Sequence, residues 1–319
     1  MGQIKRLIIN SAQNALDRPL SKWEKSQFKK YNQNPNHKQI FIVGAPRTGS
    51  TFLYQTITNM YNISYVDNLT CFLYKNFLFG LHLSNTIFKE DPHNCYQSYY
   101  GKTTKLGGLH APSECGNFWY RWFTKNYNSL NTKDFDNSIK EIRDNIYSAI
   151  NKIDRPIIFK NMNFGQHLAT LNEILPSSKI IWIKRDPTST CLSLLLARKN
   201  IHQNLNTWWS VKPKEYDQII KFKPIKQVVY QMYYLEKQIN ENIQVFNKLD
   251  VSTINYEDLI ENPIKTVEGL NLKISKKPGY LEPAVVKSMA GEDPLYYKEI
   301  EDEVIKLDWH DYQSKTEIS

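Results

Sequence analysis

The sequence predicts an α/β fold in three layers, in which helices cover both faces of a central parallel sheet. Short apolar runs rich in β-branched residues recur along the chain, at Gln39–Val43, Pro156–Lys160, Lys179–Lys184 and Val251–Tyr256. Runs without polar alternation are typical of strands that are buried on both faces of a parallel sheet. Helical patterns separate these runs, and such an alternation favours parallel strands joined by right-handed crossovers.

Helical patterns lie between and after the predicted strands. They cover Ser50–Met60, His167–Leu175, Pro187–Asn200 and a long segment from about Ile225 to Leu249. The third of these has clear start signals, because Asp186 can cap its N-terminus and Pro187 suits its first turn. A strand that ends at Lys184 therefore leads almost directly into a helix.

Changes in composition divide the chain into three parts. Residues 1–38 form a polar, helix-permissive extension, residues 39–270 carry the strand–helix alternation, and residues 271–319 are charged and helix-prone. Within the α/β part, about 65–155 is rich in aromatic residues and asparagine and shows no sheet rhythm. We interpret this stretch as an insertion that shapes a pocket within a single α/β domain.

The net charge narrows the classes of partner. The 319 residues include 41 Lys and Arg against 32 Asp and Glu, a formal charge of +9, which favours an anionic partner. No basic block or known nucleic-acid module accompanies this charge, so we expect a small phosphorylated ligand and no nucleic acid. No apolar run reaches transmembrane length, and the N-terminus lacks the pattern of a signal peptide.

The spacing of cysteines and histidines predicts neither a disulfide framework nor a metal centre. The four cysteines are widely spaced without a Cys-x-x-Cys pair, which is typical of free thiols in a reducing compartment; they are Cys71, Cys95, Cys115 and Cys191. Seven scattered histidines show no metal-binding spacing. We therefore expect a cytoplasmic protein that needs no metal.

A glycine loop follows the first predicted strand and opens a helix. Gly44 and Gly49 let the backbone turn tightly and approach an anion at the helix N-terminus. Their spacing matches the start of a Walker A loop, but Ser50 stands where that motif has lysine, and Arg47 is the local cation. Such a loop suits one phosphate or sulfate group better than β- and γ-phosphates with magnesium. The alternative is an ordinary strand-to-helix turn in which Ser50 and Thr51 act as caps.

Residues 45–52 resemble the 5′-phosphosulfate-binding loop of sulfotransferases that use 3′-phosphoadenosine 5′-phosphosulfate. The family has proline, a basic residue, Ser or Thr, glycine and two hydroxyl residues here, and arginine as the basic residue resembles the glycan-, protein- and bacterial-type branches. The position of Phe52 is that of the aromatic residue that stacks on adenine. The resemblance implies contacts to the 5′-phosphosulfate from Arg47, Thr48, Gly49, Ser50 and Thr51.

Two further segments carry the same resemblance. Arg185 and Ser193, eight positions apart at a strand end and in the following helix, resemble the family's site for the 3′-phosphate. Arginine offers a bidentate fork to a phosphate, although a surface arginine with a helix-interior serine is the alternative. Tyr256-Glu257-Asp258-Leu259 is similar to the stretch after the last core strand, where the tyrosine lies near adenine. The resemblance spans about 39–270 and implies a core like that of P-loop-containing nucleoside triphosphate hydrolases.

The candidate catalytic residues also follow from the resemblance. Lys160 ends a strand and resembles the lysine that cytosolic sulfotransferases place near the sulfate, with Arg47 as a second cation. Those enzymes have their histidine base two residues later, where this chain has Met162. Glu114 resembles instead the glutamate base of bacterial-type members, and His110 is the alternative base.

The local pattern predicts an environment for that glutamate. Pro112 is expected to open a helix, with Glu114 in its first turn beside Trp119 and Trp122. In that position Glu114 could equally complement the helix dipole rather than act as a base. The helix dipole and an aromatic wall that excludes water would act in opposite directions on the basicity of this carboxylate, and the sequence leaves open which effect is larger.

The resemblance implies transfer of a sulfuryl group from 3′-phosphoadenosine 5′-phosphosulfate to a hydroxyl of a carbohydrate or a small hydroxylated metabolite. Two alternatives remain open at this point. One is a nucleotide kinase or NTPase with a degenerate Walker A loop, which Ser50 disfavours. The other is a non-catalytic module that binds anions or glycans, which the Tyr- and Trp-rich insertion would permit.

Overall fold

The computed structural model describes residues 2–123, 135–245, 250–284 and 293–309, and the first helix as backbone alone up to residue 16. Five parallel strands form one sheet in the order β2-β3-β1-β4-β5. They are β1 (Gln39–Val43), β2 (Ser64–Tyr65), β3 (Ile157–Lys160), β4 (Lys179–Lys184) and β5 (Asp250–Asn255). The predicted three-layer α/β fold with a P-loop-like parallel sheet is confirmed.

The four predicted strands agree with the structure to within one residue at each end. The sequence pattern missed β2, which has only two residues and pairs Ser64 with Ile157 and Tyr65 with Ile158 at the sheet edge. Two residues are too few to show a periodicity.

Helices occupy most of the remaining described chain. They are α1 (Gly2–Tyr31), α2 (Ser50–Met60), α3 (Asn68–Phe72), α4 (Phe77–Phe88), α5 (Gly116–Trp119), α6 (Phe135–Ile153), α7 (Leu168–Ile174), α8 (Pro187–His202), α9 (Tyr216–Ile219), α10 (Pro224–Val245), α11 (Tyr256–Glu261), α12 (Pro263–Glu268) and α13 (Pro294–Val304), with 3₁₀ turns at Tyr74–Asn76 and Met162–Gln166. The predicted long helix is α10, and its expected end at 246–249 lies outside the described residues. As predicted, α8 begins at Pro187, and Asp186 caps it by accepting a hydrogen bond from the Ser189 amide at 2.7 Å.

The two faces of the sheet carry separate apolar clusters, which explains why its strands are apolar throughout. Phe41 and Phe159 belong to the cluster under α4–α7, whereas Ile40 and Ile42 belong to the cluster under α2, α11 and α12. Successive side chains of a strand point to opposite faces. A third cluster joins α8, α10 and α13 beside the sheet.

The aromatic residues of the predicted insertion differ from expectation in their location. Trp119 and Trp122 are both 2% exposed and belong to the core cluster on the sheet, where Trp119 lies 5.1 Å from the Phe159 ring. They do not form a pocket wall, because this segment packs its largest apolar side chains against the strands. The prediction that Trp119 and Trp122 form an aromatic wall beside Glu114 was therefore wrong.

Both ends of the chain contact the α/β core. Trp23 and Phe28 of α1 pack against the cluster on the α6 side of the sheet. The start of the C-terminal part, 271–284, is irregular rather than helical, and its Lys277 amide donates to the Met60 carbonyl at 2.8 Å. The prediction of helix was therefore wrong for 271–284, whereas α13 is helical as expected. The domain boundaries at 38 and 270 stay a prediction.

Candidate active site

A cavity of about 790 Å³ opens at the carboxyl ends of the strands. Residues that follow β1, β3, β4 and β5 line it, together with parts of 96–120 and the segment Trp209–Val211. In open parallel sheets, ligands bind in the crevice outside the carboxyl ends of the strands. The cavity is therefore the candidate site, and it brings together segments that are distant in the sequence.

The glycine loop has the geometry that its sequence predicts. Gly49 is left-handed with φ 87°, and a Cβ atom there would lie 2.3 Å from the Tyr256 ring. Only glycine fits this position, because both the backbone angle and the space exclude a side chain. The Thr48 hydroxyl donates to the Ala45 carbonyl at 2.8 Å and closes the loop internally. The α2 helix begins at Ser50, so its unpaired amides face the cavity end of the loop.

The glycine loop is also held by a carboxylate that the sequence analysis did not identify. Glu236 on α10 accepts hydrogen bonds from the Ala45 amide at 2.9 Å and from the Trp182 indole at 3.0 Å. Desolvation raises the pKa of Glu236 to about 7, although these hydrogen bonds and Lys184 act in the opposite direction. The signal in the sequence was a carboxylate on the face of α10 that also carries the buried Met232 and Ile239.

The residues predicted to bind the two phosphate groups lie in direct contact. Arg47 Nε donates to Ser193 Oγ at 3.0 Å, and an Arg185 nitrogen donates to the Arg47 carbonyl at 2.9 Å. The Arg185 guanidinium lies 4.3 Å from the centre of the Tyr256 ring. Burial, with a contribution from Arg185, lowers the pKa of Arg47. Two guanidinium groups thus lie at neighbouring positions of the cavity wall, an arrangement that suits an anion, and Ser193 Oγ contacts one of them.

The predicted adenine neighbours line the same cavity. Phe52, at the start of α2, and Tyr256, at the start of α11, both contribute to its wall. The Tyr96 ring lies 6.2 Å from Phe52, and its hydroxyl donates to the Leu281 carbonyl at 2.8 Å. Three aromatic rings thus border this end, and the sequence analysis did not single out Tyr96.

Lys160 and Glu114 both line the cavity and form an ion pair. Lys160 Nζ contacts a Glu114 carboxylate oxygen and donates to Thr51 Oγ1 at 3.0 Å. The Lys160 side chain is 2% exposed, whereas that of Glu114 is 32% exposed and reaches the cavity. The predicted cation, the predicted base and the glycine loop are therefore within one network of contacts.

The backbone around Glu114 differs from the prediction. Pro112 opens no helix: it forms an isolated antiparallel bridge with Asp67, and the Ser113 amide donates to the Val66 carbonyl at 2.8 Å. The helix α5 begins two residues after Glu114, at Gly116. Long-range backbone pairing thus overrides the local helix signal, and Glu114 does not lie in a helix dipole.

His110 lies apart from this network. It stacks on Phe88 with ring centres 4.1 Å apart, contacts the Asp91 carbonyl at 2.8 Å and lies 3.6 Å from Asp67. It borders a small cavity of about 30 Å³ and is not among the residues that line the 790 Å³ cavity. The structure therefore brings Glu114, but not His110, to Lys160.

The described parts of the chain also bear on metal binding and membrane insertion. No group of three or more His, Cys, Asp or Glu side chains is arranged to hold a metal ion there. Among the described helices, none combines the length and apolar character needed to span a bilayer.

Comparison with known proteins gives one family and several similar structures. A model of the sulfotransferase family matches residues 39–271. No match to a curated protein was found. A sulfotransferase from Alicyclobacillus acidocaldarius is similar at 12% identity and a TM-score of 0.46, covering 90% of this chain and 97% of that one. A sulfotransferase from Mycobacterium tuberculosis is similar at 13% identity and a TM-score of 0.48, covering 95% and 86%.

Proposed function

The chain belongs to the sulfotransferase family, and from this premise we propose that it moves a sulfuryl group from 3′-phosphoadenosine 5′-phosphosulfate to a hydroxyl acceptor. One observation carries the proposal. Lys160 Nζ is held at 3.0 Å by Thr51 of the glycine loop and pairs with Glu114 at the cavity wall. Sulfuryl transfer needs a cation for the leaving oxygen and a base for the acceptor hydroxyl, and this contact supplies both together.

The donor is proposed to lie along the glycine loop. The N-terminus of α2 and the adjoining loop amides suit an anionic group. Because the Thr48 hydroxyl is engaged with Ala45, Thr48 would contribute its backbone amide. Arg185 and Ser193 would hold the 3′-phosphate, with Phe52 and Tyr256 beside the adenine. The proposed contacts to the 5′-phosphosulfate are those of Arg47, Thr48, Gly49, Ser50 and Thr51.

The proposed chemistry uses side chains without an obligatory metal. Glu114 takes the proton from the acceptor hydroxyl as the acceptor oxygen forms a bond to sulfur. The bond from sulfur to the bridging phosphate oxygen breaks, and Lys160 stabilises the charge that develops on that oxygen, with Arg47 as a second cation. The products are the sulfated acceptor and adenosine 3′,5′-bisphosphate.

The acceptor is proposed to be a carbohydrate or a small hydroxylated metabolite. The cavity that Glu114 reaches is also lined by Tyr120, Asn163, Trp209 and Ser210. Aromatic faces pack against the apolar side of a small molecule, and amide and hydroxyl groups fix the orientation of its hydroxyl groups. The cytoplasmic location inferred from cysteine usage stays a prediction.

The test compares ligands in a thermal-shift experiment. Adenosine 3′,5′-bisphosphate should raise the melting temperature, because a ligand at about 100 times its dissociation constant adds roughly 2.7 kcal/mol to the free energy of unfolding. Magnesium ATP and magnesium GTP should shift it less, and EDTA should leave transfer activity largely intact. A shift with magnesium ATP but none with the bisphosphate would support the kinase alternative instead. Binding without any transfer would support the non-catalytic module.

A further inference from the structure

A tight turn reaches the cavity from the segment that precedes Glu114. Tyr99 and Lys102 form an isolated antiparallel bridge, in which each amide donates to the carbonyl of the other residue, at 2.9 and 3.0 Å. Between them, Tyr100 and Gly101 are left-handed, with φ 48° and 84°. Positive φ at both central residues is typical of a type I′ turn. Both of these residues line the cavity.

The Tyr100 side chain holds this turn in place. Its hydroxyl accepts a hydrogen bond from Asn200 Nδ2 of α8 at 3.1 Å, and its ring lies 5.7 Å from the Trp209 ring. The Arg47 guanidinium lies 5.2 Å from the centre of the same ring. The turn is therefore packed against α8 and the glycine loop, which gives Gly101 a defined position in the cavity wall.

The face of Gly101 that would carry a side chain is turned toward the Lys160–Glu114 pair. A Cβ atom added there would lie 3.2 Å from Glu114 Oε1, 3.5 Å from Thr51 Oγ1 and 4.0 Å from Lys160 Nζ. This position is thus bordered by a carboxylate, a hydroxyl and an ammonium group, and it is nearest to the carboxylate. An oxygen atom at this position would be within reach of a general base.

The backbone angle does not by itself explain why residue 101 is glycine. Tyr100 is left-handed in the same turn although it carries a large side chain. A Cβ atom at Gly101, by contrast, would approach Glu114 Oε1 more closely than is usual for such a contact. The missing side chain therefore keeps the Glu114 carboxylate open to the cavity.

We propose that Gly101 is a specificity-determining residue, whose missing side chain leaves the position at which the acceptor oxygen meets Glu114. This proposal rests on the proposed function. The acceptor oxygen bonds to sulfur and gives its proton to Glu114, while the bond from sulfur to the bridging oxygen breaks beside Lys160. A side chain at 101 should therefore obstruct the acceptor and spare the binding of the donor nucleotide.

The test fills this position and measures nucleotide binding and transfer separately. Gly101→Ala adds the methyl group, and Gly101→Asn adds a larger side chain of a residue that tolerates left-handed angles. Gly108→Ala is the matched control, because Gly108 is also left-handed with φ 67°, but a Cβ atom there has no described neighbour within 4 Å. Calorimetry gives the affinity for adenosine 3′,5′-bisphosphate. Transfer is followed as release of this bisphosphate from 3′-phosphoadenosine 5′-phosphosulfate, with water, glycerol or myo-inositol as the acceptor.

Both Gly101 variants should slow transfer about tenfold or more, the effect of overfilling a packed site, and should change bisphosphate affinity less than about twofold. The loss should be largest for myo-inositol, whose hydroxyl groups are all on ring carbons, and smallest for water. Gly108→Ala should transfer normally, and melting curves establish that each variant is folded.

Three results would overturn the proposal: wild-type transfer by the folded Gly101 variants, an equal loss of transfer in Gly108→Ala, or a loss of bisphosphate affinity that matches the loss of transfer. Wild type that binds the bisphosphate but releases none from the donor with any of the three acceptors would contradict the proposed function itself, and the proposal would fall with it.

Discussion

Glu236 is expected to make the stability of the protein depend on pH. Its carboxylate faces inward against the Ala45 amide and the Trp182 indole, and desolvation raises its pKa from 4.5 to about 7. The folded protein therefore holds this proton to a higher pH than the unfolded chain does. Between pH of about 4.5 and 7 the folded state binds more protons, so the free energy of unfolding falls as the pH rises.

The magnitude follows from the size of the shift. Two to three pKa units correspond to about 3 kcal/mol. Since Glu236 as a whole is only partly buried, we discount this to about 1–3 kcal/mol for solvent screening. The buried Glu24, whose pKa desolvation also raises to about 7, acts in the same direction. Burial lowers the pKa of His93 well below 6.5, so His93 acts in the opposite direction.

These opposing contributions make a comparison with a variant necessary. Glu236→Gln removes the titrating group, and its amide oxygen can still accept from the Ala45 amide. Urea unfolding of wild type and variant at pH 5 and pH 8 gives four free energies of unfolding. Relative to Glu236→Gln, wild type should lose about 1–3 kcal/mol between the two pH values.

Glu24→Gln serves as an independent variant with the same expected sign on α1, where Glu24 accepts a hydrogen bond from the Phe79 amide at 3.0 Å. If wild type and Glu236→Gln lose the same stability between pH 5 and pH 8, Glu236 does not titrate in this window. The assignment of a desolvated, proton-binding carboxylate beneath the glycine loop would then be refuted.

The other predictions concern the proposed 3′-phosphate site and the proposed base. Arg185→Ala should weaken binding of adenosine 3′,5′-bisphosphate far more than Ser193→Ala, because it removes a charge-assisted bidentate contact rather than one hydrogen bond; equal affinities of wild type and Arg185→Ala in calorimetry would remove Arg185 from the site. Glu114→Gln should cut turnover by about a hundredfold or more and spare bisphosphate affinity, and normal turnover of this variant would exclude Glu114 as the base. His110→Ala should lower the melting temperature through the lost stacking on Phe88 and leave turnover largely unchanged; a folded but inactive His110→Ala would reverse the roles of the two residues.

Much of the sheet and the glycine loop could be predicted because their signals are contiguous in the sequence. The runs at Gln39–Val43 and Lys179–Lys184 are strands with those same bounds, since burial on both faces demands an apolar side chain at nearly every position. Gly49 and the start of α2 at Ser50 follow from local backbone requirements. Such features depend on neighbours within a few residues.

The environment of Glu114 could not be predicted from its neighbours in the sequence. Pro112 indicates a helix start locally, but its pairing with Asp67 holds the segment extended. Aromatic composition likewise does not say which surface a ring faces, and Trp119 lies in the core whereas Tyr120, the next residue, lines the cavity. Two adjacent aromatic residues thus lie in opposite environments.

The sequence by itself determined the fold class, the conformation of the glycine loop and the family, because each depends on short ordered patterns. Tertiary structure alone decided which candidates meet. It joined Lys160 to Glu114 and Arg47 to Ser193, across separations of 46 and 146 residues, and left His110 at another cavity. The physical reason is that a site is assembled by long-range packing of the sheet and its covering helices, and those contacts have no signature in any one segment.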